Sequence, residues 1–129
     1  MRLLDGDERG IEYNLAYIGY TIGHELSHSL DDMGSMYDYK GNLFNWWTPH
    51  DHKIFQSKVK DVIRQYETFA ARDGIKMDGS LSVGENLADI SGLAIIQEYL
   101  RDYQITDEYI IPIKKLSFET LFMYIAYQW

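Results

Sequence analysis

Two histidines and a glutamate within five residues carry the clearest chemistry in this chain. His24, Glu25 and His28 form a His-Glu-x-x-His pattern after an apolar, helix-compatible run. Residues four apart lie on one face of a helix, so both imidazoles can reach the same zinc ion. Glu25 lies beside them and can act as a general base toward a zinc-bound water. The pattern therefore indicates a hydrolytic zinc site carried by a helix.

A catalytic zinc needs a third protein ligand, and a carboxylate is a common partner of two histidines. The best candidate is Glu85, at the start of a predicted helix. Asp89 lies four residues later on the same helix face and can accept a hydrogen bond from the outer nitrogen of His24 or His28. Asp31, three residues after His28, is a second candidate for that role.

These acidic residues also have purely structural interpretations. Glu85 fits the acidic position of a capping box in which Ser82 is the N-cap. Asp89 fits a solvated helix charge, and Asp31 fits a loop acid near Gly34. The His-Glu-x-x-His pattern also recurs by chance in unrelated helices. A helical binding domain with an accidental pattern therefore stays open as an alternative, and zinc content separates the two.

Two predicted helices occupy the first part of the chain. The first runs from about residue 11 to residue 30 and carries both histidines, and Gly34 is available for a left-handed cap. The second begins with Thr48 as N-cap and Pro49 at the first helical position, and the Asp-Gly pair at 73–74 ends it. Between them we expect a loop, and we expect the adjacent tryptophans at 46–47 to anchor this loop or to join the core rather than to stack on a substrate.

Two more helices are predicted in the second part. The third begins at Ser82 and should end near Arg101, and the fourth begins at Ser117 after a loop broken by Pro112. The fourth carries an apolar stripe at helical spacing, which comprises Phe118, Leu121, Phe122, Ile125 and Trp129. The predicted fold class is mainly α, in a single domain.

Composition limits the partners of the chain. The net charge of -8 over 129 residues argues against nucleic acid or anionic membrane as the main partner. The absence of cysteine excludes disulfides and thiolate zinc ligands and slightly favours the cytoplasm. No apolar run approaches the ~20 residues that span a membrane, and no signal peptide is recognisable.

His50 and His52 do not fit the spacing of a metal-binding motif and are expected to be exposed. The many aromatic residues predict a tendency to self-associate.

Three sequence blocks, at 23–32, 45–48 and 84–89, read GHELSHSLDD, NWWT and GENLAD. In this order the chain resembles the neprilysin and endothelin-converting-enzyme family of zinc peptidases. The resemblance implies that the fold is the helical zinc-binding part of a thermolysin-like catalytic domain. It also implies hydrolysis of peptides rather than folded proteins, typically before a large apolar residue.

The resemblance further implies the roles of individual residues. His24, His28 and Glu85 would bind one zinc ion per chain. Glu25 would be the catalytic base, and Asp89 would orient a ligand imidazole.

The chain also departs from the family pattern. The substrate-binding strand, the lid domain and the downstream transition-state-stabilising histidine and substrate-binding arginine have no counterpart in residues 1–129. We therefore expect a partial catalytic domain, completed by the remainder of a parent enzyme. The alternative is a zinc-binding fragment or pseudoenzyme that acts through interactions, although an intact Glu25 favours the enzyme.

Overall fold

The computed structural model describes residues 10–106 and 117–128. Within these ranges the chain is mainly helical, as predicted, and its only paired extended residues are Tyr37 and Leu43 in an isolated antiparallel bridge. The N-terminal residues 1–9, the predicted loop with Pro112 and the end of the last apolar stripe at Trp129 lie outside the described residues.

Two compact units make up the fold. The first combines the residues up to Leu26 with those from Ile90 onward, and the second is Ser27–Asp89.

The first predicted helix extends over the expected residues but is not uniform. It consists of α1 (Ile11–Asn14), a π-helical turn (Leu15–Gly19), α2 (Tyr20–Ser27) and a 3₁₀ turn (His28–Leu30). A π turn adds a residue to one turn and so rotates the helix that follows. In α2, Tyr20 and Gly23 are buried, whereas Ile22, which directly precedes Gly23, is exposed.

Gly34 does not form the predicted left-handed cap. The helical segment ends at Asp31 in extended backbone, and Gly34 begins a 3₁₀ turn, Gly34–Met36. A Cβ on Gly34 would lie 1.9 Å from the carbonyl oxygen of His28. Close approach to the helix end, rather than a positive φ, is therefore what requires glycine here.

Helix α3 (Pro49–Arg72) begins and ends as predicted. The Thr48 hydroxyl accepts a hydrogen bond from the Asp51 backbone N–H at 3.1 Å and donates one to the Asp51 carboxylate at 2.6 Å. Gly74, with a φ of 73°, follows the helix in the left-handed region. The side chains of His50 and His52 are exposed, as expected.

Helix α4 (Val83–Thr106) is longer than predicted, whereas α5 (Phe118–Gln128) begins as expected. Residues 101–106 contain neither glycine nor proline, so nothing stops α4 near Arg101. Ser117 caps α5, because its hydroxyl accepts a hydrogen bond from the Thr120 backbone N–H at 3.2 Å.

The core of the first unit joins residues from α2, α4, α5 and the π turn. Its buried members are Ala16, Tyr20, Ile96, Leu100 and Leu121. Phe118 and Ile125 pack against them, but Phe122 is 39% exposed, so its assignment to the apolar stripe was wrong. Phe122 follows the fully buried Leu121 and is rotated about 100° from it around the helix.

In the second unit, Trp47 fixes the loop before α3. Its indole N–H donates a hydrogen bond to the Ser35 carbonyl at 2.8 Å, and its ring stacks on Phe55 with centroids 5.0 Å apart. Trp46 stacks on the other tryptophan at 4.5 Å but is 43% exposed. The predicted anchoring role therefore belongs mainly to Trp47.

Replacing Trp47 by phenylalanine should lower the free energy of unfolding by about 1–3 kcal/mol, because the carbonyl of the buried Ser35 loses its donor. Urea unfolding followed by circular dichroism measures the change. Trp46→Phe is the matched control and should change the free energy by less than about 0.5 kcal/mol. Equal losses in both variants would contradict an anchor specific to Trp47.

Candidate metal centre

The His-Glu-x-x-His pattern lies on helical backbone, as the site requires. His24 and Glu25 belong to α2, and His28 begins the 3₁₀ turn that continues it. His24 is buried, with 8% of its surface exposed, whereas Glu25 is exposed. The segment therefore holds one imidazole inside the protein and presents the neighbouring carboxylate to solvent.

The ring of His28 lies between two acidic side chains. Its Nδ1 is 2.7 Å from Oδ2 of Asp31, and its Nε2 is 3.6 Å from Oε2 of Glu85. An ionised carboxylate only accepts hydrogen bonds, so the contact with Asp31 places the ring proton on Nδ1. The lone pair of a neutral His28 is then on Nε2, the nitrogen that faces Glu85.

Asp31 also organises the loop that follows the histidines. Its Oδ1 accepts hydrogen bonds from the backbone N–H groups of Met33 at 2.8 Å and Gly34 at 2.7 Å. Burial alone would raise the pKa of the Asp31 carboxyl, but these N–H groups and His28 together hold it below its usual range. Asp31 is therefore ionised near neutral pH and contacts His28 and the loop simultaneously.

His24, His28 and Glu85 meet as a potential metal-binding group. One ligand atom from each lies within 4.8 Å of the other two. Ligand atoms on a tetrahedral zinc ion are about 3.4 Å apart, given bond lengths of about 2.1 Å. Two imidazole nitrogens and a carboxylate oxygen are a donor set that zinc binds, and side-chain rotation can bring them from this spacing to coordination distance.

The start of α4 bears on the alternative role of Glu85 as a capping acid. The Ser82 hydroxyl accepts a hydrogen bond from the side-chain amide of Asn86 at 3.1 Å, and the Ser82 carbonyl accepts one from the Asn86 backbone N–H. Asn86 thus contacts the proposed N-cap through both its side chain and its backbone. The carboxylate of Glu85 also lies near His28, with its Oε2 3.6 Å from Nε2 of the imidazole.

Asp89 has a neighbour that sequence reasoning missed. Burial raises the pKa of the Tyr66 hydroxyl, and the negative charge of Asp89 raises it further. Tyr66 follows Val59, Val62 and Ile63 at helical spacing in α3, a pattern typical of a packed helix face, so its sequence position gave no sign of this proximity. The predicted hydrogen bond from a ligand imidazole to Asp89 stays a prediction.

Gly92 is a second residue near the site that sequence reasoning missed. It is buried in α4, and a Cβ at this position would lie 2.7 Å from the backbone nitrogen of His24. The available signal was an isolated glycine within a helical pattern, because a residue without a Cβ lets another backbone approach closely.

A His-Glu-x-x-His helix with a glutamate from a second helix beside it is the arrangement of a zinc metallopeptidase. The sequence profile of Peptidase family M13 matches residues 7–129, and the chain belongs to this family of zinc metallopeptidases. The resemblance to neprilysin and the endothelin-converting enzymes is thereby confirmed.

Individual relatives agree with this assignment. The chain is 36% identical to human endothelin-converting enzyme-like 1 over 84% of its residues, and 43% identical to Neprilysin-2 of Drosophila melanogaster over 62%. It is similar to the crystal structure of PEPO from Lactobacillus rhamnosis HN001, with 34% identity, a TM-score of 0.66 and 94% of the chain covered.

The matched region is a small part of each relative. It covers 14% of the endothelin-converting enzyme-like protein, 10% of Neprilysin-2 and 17% of the PEPO chain. Among the described residues, no helix combines the length and apolar character needed to cross a membrane.

Proposed function

We propose that this chain carries the zinc ligands and the catalytic base of a peptidase that hydrolyses short peptides. The observation that carries the proposal is the convergence of His24, His28 and Glu85, whose ligand atoms lie within 4.8 Å of one another. Membership of Peptidase family M13 supports the same chemistry. We also propose that the chain forms part of a catalytic domain rather than a separate binding module.

In this proposal His24, His28 and Glu85 hold one zinc ion per chain. His28 binds through Nε2, because its Nδ1 is engaged by Asp31. When bound, zinc would polarise a peptide carbonyl and make a water molecule more acidic.

Three acidic residues complete the proposed machinery. Glu25 accepts a proton from the attacking water and returns it to the departing amine, which needs a carboxylate within reach of solvent and substrate. Asp89 accepts a hydrogen bond from the outer nitrogen of His24 and so fixes the orientation of that imidazole. Asp31 provides the corresponding contact for His28.

Replacing Asp31 by asparagine is expected to weaken zinc binding by about 10–100-fold, because His28 loses its charged hydrogen-bond acceptor. The amide oxygen can still accept from Met33 and Gly34, so the loop should keep its fold. Chelator competition measures the affinity, with Asp38→Asn in an exposed turn as the control. Unchanged zinc affinity in the Asp31 variant would show that His28 does not depend on this contact.

Cleavage of quenched fluorescent peptides by the zinc-loaded chain tests the proposed function. Cleavage that a chelator abolishes and added zinc restores would support the proposal and would mean that the zinc ligands and Glu25 suffice for hydrolysis. Tight zinc binding without cleavage would reject autonomous peptidase activity and favour a zinc-binding fragment that acts through interactions. Cleavage that persists in the presence of a chelator would reject the zinc mechanism.

A further inference from the structure

We propose that Gly92 is a positioning residue that sets the location of the His24 backbone. The inference rests on the proposed function, since it concerns one of the proposed zinc ligands. Gly92 lies in α4 and contacts α2 at the turn that carries His24, and both residues are buried.

The contact is one of backbone against backbone. A Cβ on Gly92 would lie 2.7 Å from the His24 nitrogen and 3.1 Å from its Cα. From the other side, a Cβ on Gly23 would lie 3.1 Å from the Cα of Gly92 and 3.3 Å from its carbonyl oxygen. Backbone atoms cannot rotate away as the end of a flexible side chain can, so any side chain here must move one helix.

The required displacement is large on the scale of zinc coordination. Ordinary van der Waals contact begins at 3.4 Å, so the 2.7 Å approach must widen by about 0.7 Å. Zinc–ligand distances stay within about 0.2 Å of their usual values. Glu85 and Gly92 are seven residues apart on α4, about two turns, so they occupy the same helix face. A methyl group at 92 therefore shifts His24 away from the helix that supplies the carboxylate ligand.

Gly19 provides a matched control in the same helical segment. A Cβ at this position would meet Cδ2 of Leu15 at 3.2 Å and Cγ2 of Ile96 at 3.5 Å. Cδ2 of Leu15 is the end of a side chain that can adjust, and 3.5 Å from Cγ2 of Ile96 is ordinary van der Waals contact. Gly19→Ala therefore adds the same methyl group without displacing backbone.

The test compares Gly92→Ala, Gly23→Ala and Gly19→Ala in the full chain. Zinc affinity is measured by chelator competition, and thermal unfolding of the metal-free chain reports folding. We expect Gly92→Ala to lose tenfold or more in zinc affinity, by analogy with residues that support metal ligands. Gly23→Ala should lose less, and Gly19→Ala should stay within about twofold of the unsubstituted chain. The visible absorption of the cobalt-loaded chain should change with Gly92→Ala, because it reports the geometry of the ligands.

The outcomes separate this inference from the proposed function. Gly92→Ala with the zinc affinity and cobalt spectrum of the unsubstituted chain overturns the positioning role, even though His24→Ala loses zinc. An unsubstituted chain that binds no zinc overturns both proposals. If Gly92→Ala does not fold without metal, the zinc affinity of Gly23→Ala tests the positioning role. An affinity equal to that of Gly19→Ala then overturns the inference, and a loss of severalfold supports it.

Discussion

Glu25→Gln is expected to slow peptide hydrolysis by the zinc-loaded chain by about 10²–10⁴-fold while zinc stays bound. Glutamine has nearly the same shape as glutamate, but its amide cannot take a proton from water at neutral pH. Glu25 lies beside the proposed ligand His24 and is exposed, so the substitution should not disturb the core. Initial rates with a quenched fluorescent peptide, measured at equal zinc content, give the effect.

Glu119→Gln is the matched control for this substitution. Glu119 is exposed in the first turn of α5, and its replacement should leave the rate within about twofold of that of the unsubstituted chain. A Glu25→Gln chain that cleaves at the unsubstituted rate would remove Glu25 from the mechanism. A Glu25→Gln chain that loses zinc would instead make Glu25 a metal ligand.

His28→Ala should have the largest effect on metal binding itself. Zinc bound by four protein ligands gains about 10–16 kcal/mol, or roughly 3 kcal/mol for each ligand. Losing one ligand therefore weakens binding by about 10²-fold or more. The substitution also removes the imidazole next to Glu85, whose Nε2 lies 3.6 Å from the Glu85 Oε2. Chelator competition with a fluorescent zinc indicator measures the change.

His50→Ala is the control, because this imidazole is exposed near the start of α3. Its removal should leave zinc affinity unchanged. Similar losses in the His28 and His50 variants would indicate adventitious binding by imidazoles rather than a defined centre.

The helices could be predicted largely because their boundaries are local. These boundaries depend on hydrogen bonds and backbone preferences within a few residues. The residues are Thr48 and Pro49 at the start of α3, the Asp-Gly pair at its end, and Ser117 at the start of α5. The π turn at Leu15–Gly19 could not be predicted, because it has no distinctive sequence pattern. The end of α4 was missed for a related reason, since no residue near Arg101 stops a helix.

In the candidate site, too, the features that depend on local spacing could be predicted, and the contact between two helices could not. The spacing of His24 and His28 predicts two imidazoles on one helix face, and the three-residue step to Asp31 is short enough to suggest their contact. The approach of Gly92 to His24 depends on how two helices pack, which a single sequence does not specify. The prediction of a left-handed Gly34 was wrong for a more local reason, because the close approach of the His28 carbonyl oxygen, rather than a positive φ, requires glycine there.

Zinc K-edge X-ray absorption on the chain with one equivalent of zinc tests the central claim most directly. The account predicts one zinc ion per chain, a first shell of nitrogen and oxygen at about 2.0–2.2 Å, and outer-shell scattering from two imidazoles. Replacing His28 by alanine should remove part of the imidazole signal. No stoichiometric zinc binding, or a bound zinc without imidazole scattering, would contradict a centre built from His24, His28 and Glu85.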